Sequence, residues 1–148
     1  MQVFIAGATG VLGRRLVRRF RARGDRVVGL VRSPEGAQKV RELGGELRQA
    51  SLFDAEALAR AADGCDVVIH AASAIPVRTR VRPQDWAMND RIRREGTRAL
   101  TTCAARIGAR CYVQQSVVWV NSPPDDRFFD EETPRARTSP HVRPLTAS

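Results

Sequence analysis

The chain has 148 residues, 43% of them apolar, and a net charge of +9. That length fits a single domain with a tail, able to bury about 68–70% of its unfolded surface without disulfides or metal. A wholly disordered chain is excluded by the apolar content, and a membrane span by the lack of any apolar run of roughly 18–20 residues.

The opening MQVFIAGATGVLG is apolar, but arginines follow it and no positive charge precedes it, so it does not read as a signal peptide. Val3-Phe4-Ile5-Ala6 is a strand-length run ending at glycine. Val11, Leu12, Leu16 and Phe20 then recur at helical spacing, and Gly24 stops that helix. Residues 27–31 are a second buried-strand run. Pro34 suits the first turn of a helix to about Leu43, after which Gly44-Gly45 breaks it and residues 46–50 predict a short third strand. Asp54 is a candidate N-cap for a helix to Ala61 or Ala62. Gly64 ends that helix, and residues 66–70 predict a fourth strand. After an irregular stretch, 73–83, the spacing predicts the longest helix, 84–107, with a stripe of Ile92, Ala99, Leu100, Cys103, Ala104 and Ile107. Gly108 stops it, and residues 111–115 predict a fifth strand, with Val117 to Val120 as an extension.

Continuously apolar strands separated by helices mean a parallel sheet covered on both faces. The expected fold is α/β: a doubly wound parallel sheet of about five strands, order 3-2-1-4-5, over residues 1–121. The last 27 residues hold five of the eight prolines and five of the 16 acids, so 122–148 reads as an irregular or disordered tail. Cys65, Cys103 and Cys111 lack metal-ligand spacing and read as small apolar residues in a reducing compartment, the cytoplasm.

The strongest chemical signal is Gly7-Ala8-Thr9-Gly10-Val11-Leu12-Gly13, between a predicted strand and a predicted helix. Gly7 allows the sharp turn, Gly10 lets the backbone approach a diphosphate, and Gly13 lets the helix pack closely on the sheet. The helix N-terminus offers free N–H groups and partial positive charge to phosphates, and Arg14 adds charge nearby. No Gly-Lys-Ser/Thr follows, so this is not the loop of phosphate-hydrolysing NTPases. About 20 positions past the loop, an NAD site carries an acid for the ribose 2′-OH. Here Arg32 stands there, followed by Ser33. A guanidinium pairs with a 2′-phosphate, which favours NADP over NAD.

These blocks, GATGVLGRRLV, VVGLVRSPE, VVIHAAS and EGTRALTTCAARIGARCYVQQS, resemble the extended and atypical short-chain dehydrogenase/reductase superfamily, more narrowly its NAD-dependent epimerase/dehydratase members. The resemblance covers residues 1–121. It implies a Rossmann domain, a nicotinamide dinucleotide, and redox chemistry on a small carbonyl or sugar-nucleotide substrate. It places Thr9, Gly10, Val11 and Leu12 along the diphosphate, and Leu52 beside the adenine. It puts Ala71, Ala72 and Ser73 under the nicotinamide ribose, and Ser116 near the reacting carbonyl.

The departures bear on activity. Ser51 replaces the family's adenine-binding Asp, Arg93 its Asn, Val117 the second serine of its Ser-Ser pair, and Asn121 the Tyr of its Val-Tyr-Gly. The catalytic Tyr-x-x-x-Lys is absent: the one Tyr is Tyr112, inside the fifth strand, and the one Lys is Lys39. The family's sixth strand and C-terminal substrate lobe have no counterpart either, so the chain reads as the N-terminal half of a longer enzyme or a member that has lost or replaced the acid. The expectation is a dinucleotide binder that alone is a poor catalyst, with an exposed fifth-strand edge that invites self-association.

His70, beside the loop, is a conceivable general base, although a family histidine there often moves no proton. His141 reads as solvated, Trp86 and Trp119 as packing residues, and the 125–132 carboxylates as a solvated acidic run without metal-loop spacing. Of the 25 basic residues 24 are Arg, which raises a nucleic-acid partner as an alternative. They fall opposite the apolar stripes of several helices and form no recognition module, which favours a solvated surface. A dinucleotide-sensing module without catalysis is the second alternative.

Overall fold

The computed structural model describes residues 1–117 together with Asp130 and Glu132. The chain divides into two units, Met1–Gln115 and Ser116–Ser148. The sequence boundary at 121/122 and the tail 122–148 lie outside the described residues, apart from Asp130 and Glu132, as do Trp119 and His141.

The first unit runs β1 (Gln2–Ala6), α1 (Val11–Ala22), β2 (Arg26–Val31), α2 (Pro34–Glu42), β3 (Glu46–Gln49), α3 (Ala55–Ala61) and β4 (Val67–His70). A 3₁₀ turn (Pro83–Trp86), α4 (Ala87–Arg91), a π turn (Ile92–Gly96), α5 (Thr97–Arg106) and β5 (Cys111–Gln114) follow. The sheet order is β3-β2-β1-β4-β5, all pairs parallel, as the alternation of apolar runs and helices predicts. β1 sits at the centre, Val3 opposite Val27 on one side and Val67 on the other.

Alternation within β1 divides the core. Val3 and Ile5 join Val17 of α1 and Val40 of α2, both fully buried. Phe4 and Ala6 join Leu58 of α3 and Leu100, Cys103 and Ala104 of α5. Side chains pointing to opposite faces of a strand buried on both sides require this split. Helix starts are locally encoded. Ser33 accepts from Gly36 N–H at 3.2 Å ahead of Pro34. Asp54 Oδ1 accepts from the Glu56 and Ala57 amides, both at 3.0 Å.

Three expectations are corrected. The predicted helix 84–107 is not one regular α-helix: the π turn interrupts it at Ile92–Gly96, and both of those residues are buried. Gly96 lies so close to the sheet that a Cβ there would stand 3.1 Å from Leu52 Cδ2. The fifth strand stops at Gln114, short of Val117, and 118–120 lie outside the described residues. Cys65 and Cys103 are buried, but Cys111 is exposed because β5 is an edge strand. No helix among the described residues is long and apolar enough to cross a membrane.

Candidate functional site

At the carboxyl end of β1 the chain must turn sharply to enter α1. Gly7 does so at φ +89°, and a Cβ there would stand 2.5 Å from Ala71 C and Ala72 N, the backbone leaving β4. Gly10 N–H then donates to Gly7 O at 3.0 Å, closing the loop. A Cβ on Gly13 would stand 2.0 Å from Gly7 O and 2.8 Å from Ala8 Cα. Gly13 thus permits close packing of helix against turn, where the sequence suggests helix against sheet. Gly10 has an ordinary φ of −75°, and a Cβ there would meet only Gly7 O, at 3.3 Å. As N-cap it caps α1 with no side chain, and no acid occupies the first helical turn. An unscreened helix N-terminus is a ready anion site.

A cavity of about 590 Å³ opens at this end of the sheet. From the glycine loop it is lined by Gly7, Thr9, Gly10, Val11 and Leu12. Arg32 and Leu52 border it, and Ala71, Ala72 and Ser73 form another wall. Gly13 is buried beneath the loop and does not line this cavity. Val11 and Leu12 are 71% and 41% exposed, so the cavity, not the core, uses the first apolar pair of α1. Ser116 is exposed and begins the second unit.

Several lining residues were not singled out from the sequence as bordering the site. Arg15, rather than Arg14, reaches the cavity. At about 100° per residue Arg15 falls one turn beyond Val11 on the same face, while Arg14 Nε turns back to Gly10 O at 3.4 Å. That helical spacing was the available signal. Leu30, Phe53, Ile75, Ile92 and Gln115 complete this set, and Ser51, already marked in the sequence as a departure from the family, lines the cavity too. Ile92, the first residue of the apolar stripe, stands on the π turn. No carboxylate lines the cavity, and neither Arg15 nor Arg32 has an ion-pair or hydrogen-bond partner among the described residues. The loop after β4 is held from behind by Asn89, 3% exposed, whose Oδ1 accepts from Ala74 N–H at 3.2 Å.

His70 and Tyr112 are both committed to the fold. His70 is 1% exposed, with Ala72 N–H at 3.3 Å from Nδ1 and Ile92 O at 3.4 Å from Nε2. Burial pushes its pKa below the usual histidine range, with the Arg93 charge adding to this and the Ile92 carbonyl opposing it. Tyr112 is half-buried, donates to Gln114 Oε1, and is pushed up to about 12 by burial. The expected surface role holds for most arginines, but Arg91 lies over the Phe53 ring at 4.0 Å and Arg93 is half-buried.

A family profile described as NAD(P)H-binding matches residues 7–141. The 3-diazoavenalumate denitrifying reductase of a Streptomyces species is 35% identical over 136 residues, covering 90% of this chain and 43% of that protein. Ceramide reductase of Caulobacter vibrioides is 36% identical over 115 residues, covering 78% of this chain and 34% of that protein. The chain thus spans less than half the length of these relatives. Among solved structures, a short-chain dehydrogenase/reductase superfamily protein of Agrobacterium tumefaciens with bound NAD matches at TM-score 0.75 and 28% identity. That match covers 97% of this chain and 42% of that one.

Proposed function

Because this chain belongs to the NAD(P)H-binding family, of the extended short-chain dehydrogenase/reductase and epimerase type, we propose that its cavity takes NADP in preference to NAD. We propose further that it supplies the dinucleotide-binding part of a reductase or epimerase acting on a small carbonyl or sugar-nucleotide substrate in the cytoplasm. The observation that carries the cofactor choice is Arg32 in the lining, a guanidinium with no partner among the described residues and no carboxylate beside it in the lining. Thr9, Gly10, Val11 and Leu12 then border the diphosphate, Gly7 and Gly13 shape the turn beneath it, and Leu52 packs beside the adenine. Ala71, Ala72 and Ser73 border the nicotinamide ribose. Arg32, exposed at the end of β2, meets the 2′-phosphate. The bound dinucleotide supplies or accepts a hydride; this chain's residues bind and orient it.

Titration of NADP and NAD into the wild type and Arg32→Ala tests this. NADP should bind the wild type roughly ten-fold or more tightly than NAD, as one lost charge-assisted bond of about 1.5–3 kcal/mol implies. Arg32→Ala should erase the difference. Equal affinities in the wild type would remove Arg32 from the choice, and no binding below millimolar concentration would end the cofactor reading.

A second reading, a dinucleotide-sensing module without turnover, is favoured by Tyr112. Its hydroxyl is engaged within β5 and its pKa stands at about 12, and the one lysine, Lys39, lies on α2. Neither can act as the family's acid pair, whose loss costs typically about 10²–10⁴-fold. Ser116, implied at the reacting carbonyl by resemblance, is one hydrogen-bond donor and does not replace that pair. Turnover of a carbonyl panel with NADPH separates the readings, and turnover abolished by Ser116→Ala would sink the second one.

A further inference from the structure

We propose that His70 is a positioning residue for the dinucleotide: its neutral ring ties the Ala71–Ala72 wall of the cavity to the π turn, and protonating the ring releases that wall. The proposal rests on the cavity being the dinucleotide site, and it assigns a role to a group the binding scheme otherwise leaves unused.

The ring lies between two walls of one cavity. Ala71 and Ala72 line it on the β4 side, and Ile92 lines it from the π turn. Ala72 N–H can only donate, so Nδ1, 3.3 Å away, is the bare nitrogen. The ring proton is therefore on Nε2, directed at Ile92 O at 3.4 Å. Gly96 packs beside the ring, a Cβ there standing in ordinary contact with Nε2 at 3.5 Å. Both contacts are long, and both are made by a side chain that water does not reach. A second proton on Nδ1 would set one donor against another, and the Ala72 amide would have to turn away or stay buried and unmet.

The surroundings keep the ring neutral at ordinary pH. On the π turn, Arg93 is the charged neighbour that disfavours a second proton, and burial acts in the same direction. β1, which pairs Ala6 with His70, carries no ionisable side chain. β5 pairs Gln114 with His70, brings Tyr112, and places Cys111 at the far end of the ladder opposite Val67. No carboxylate shifts the ring. Release is thus confined to pH below the ordinary histidine value of about 6.5.

The test uses the full chain. Dissociation constants for NADP are measured from pH 8 to pH 5 for the wild type, His70→Asn and His70→Phe. The Ala72 amide and the His70 ring nitrogens are followed by ¹⁵N NMR over the same range without ligand. In the wild type, affinity should fall below about pH 6.5 by up to about ten-fold per pH unit, the slope of one linked proton. The Ala72 amide shift should follow the ring titration. His70→Asn keeps an acceptor near the Nδ1 position, loses the contact to Ile92 O and cannot titrate, so it should bind more weakly than the wild type at pH 8 but more tightly than His70→Phe, and it should lose the His70-dependent fall. Dividing by this variant removes the titration of the cofactor's own 2′-phosphate. His70→Phe lacks the acceptor and should bind roughly ten-fold more weakly throughout. If His70→Phe does not fold, the Asn variant and the NMR titration decide. An acid loss that persists unchanged in His70→Asn, or an Ala72 amide that ignores the ring, overturns the proposal. No binding of either dinucleotide at pH 8 sinks the cofactor reading and this role with it, whereas binding without His70-linked pH dependence sinks the role alone.

Discussion

At the amino ends of β1, β2 and β4 the polar groups meet one another. The Met1 amine stands 2.9 Å from Asp25 Oδ1, Asp66 Oδ2 accepts from Gln2 N–H at 2.7 Å, and Arg26 donates to Gln2 Oε1 at 2.8 Å and Glu46 Oε2 at 2.6 Å. At the carboxyl ends of the same strands, backbone closes on backbone around Gly7 and Gly13, and Arg15 and Arg32 face an open cavity with no partner among the described residues. The first end satisfies its charges internally and so serves stability. The second leaves positive charge and helix N–H groups unmatched, which costs stability and creates affinity for an anion. Substitutions at the two ends should therefore separate folding from binding.

The largest effect should come where the site's shape is set by main-chain contact. Gly13→Ala puts a methyl group 2.0 Å from Gly7 O, with only backbone to give way, and should cost about 3 kcal/mol or more. Thermal unfolding should show a large fall in Tm together with lost cofactor binding. Gly10→Ala, whose Cβ meets Gly7 O at 3.3 Å, should lower Tm far less. Equal damage from both would mean that the loop does not depend on these contacts. Next comes Arg15→Ala, expected to weaken NAD and NADP alike by roughly three- to ten-fold while leaving Tm unaltered, because Arg15 stands one turn along α1 from the loop. A loss confined to NADP would place Arg15 with Arg32 at the 2′-phosphate.

At the opposite end the signs reverse. Asp66→Ala strands the Gln2 amide and should lower stability by about 1–2 kcal/mol in denaturant titration, with cofactor affinity intact. The smallest effect is one of pH. The hydrogen bond from the Met1 amine, and secondarily the Arg23 charge, hold Asp25 below the usual carboxylate range against the opposing effect of burial. A carboxylate with a lowered folded pKa stabilises above its unfolded value of about 3.9, and that contribution is lost as pH falls through the folded pKa. Tm measured in acid should thus drop less steeply for Asp25→Asn than for the wild type.

The sheet was readable because its signals are local and redundant: apolar runs bounded by glycine, Asp54 and Ser33 at helix starts, and a loop whose glycines sit at diagnostic spacing. Ten of the cofactor-loop and wall residues expected from sequence line one cavity. What escaped depends on packing between distant segments. The π turn at Ile92–Gly96 adds a residue to one helical turn, yet the apolar stripe starting at Ile92 fits a regular helix equally well. Nothing in the sequence marks Asn89, whose burial against Ala74 N–H depends on the packing of α4 on the loop after β4. Arg14 and Arg15 are identical letters in sequence, and only the helical phase distinguishes them.

An uncompensated basic cavity also has a kinetic consequence. With guanidinium groups on its rim and no acid among its lining residues, it attracts a polyanionic dinucleotide before contact. Its association rate should fall steeply as ionic strength rises and the Debye length shrinks toward about 8 Å, while the dissociation rate changes little. In a cell, such a site would compete for cofactor through the speed of capture as much as through the length of its hold.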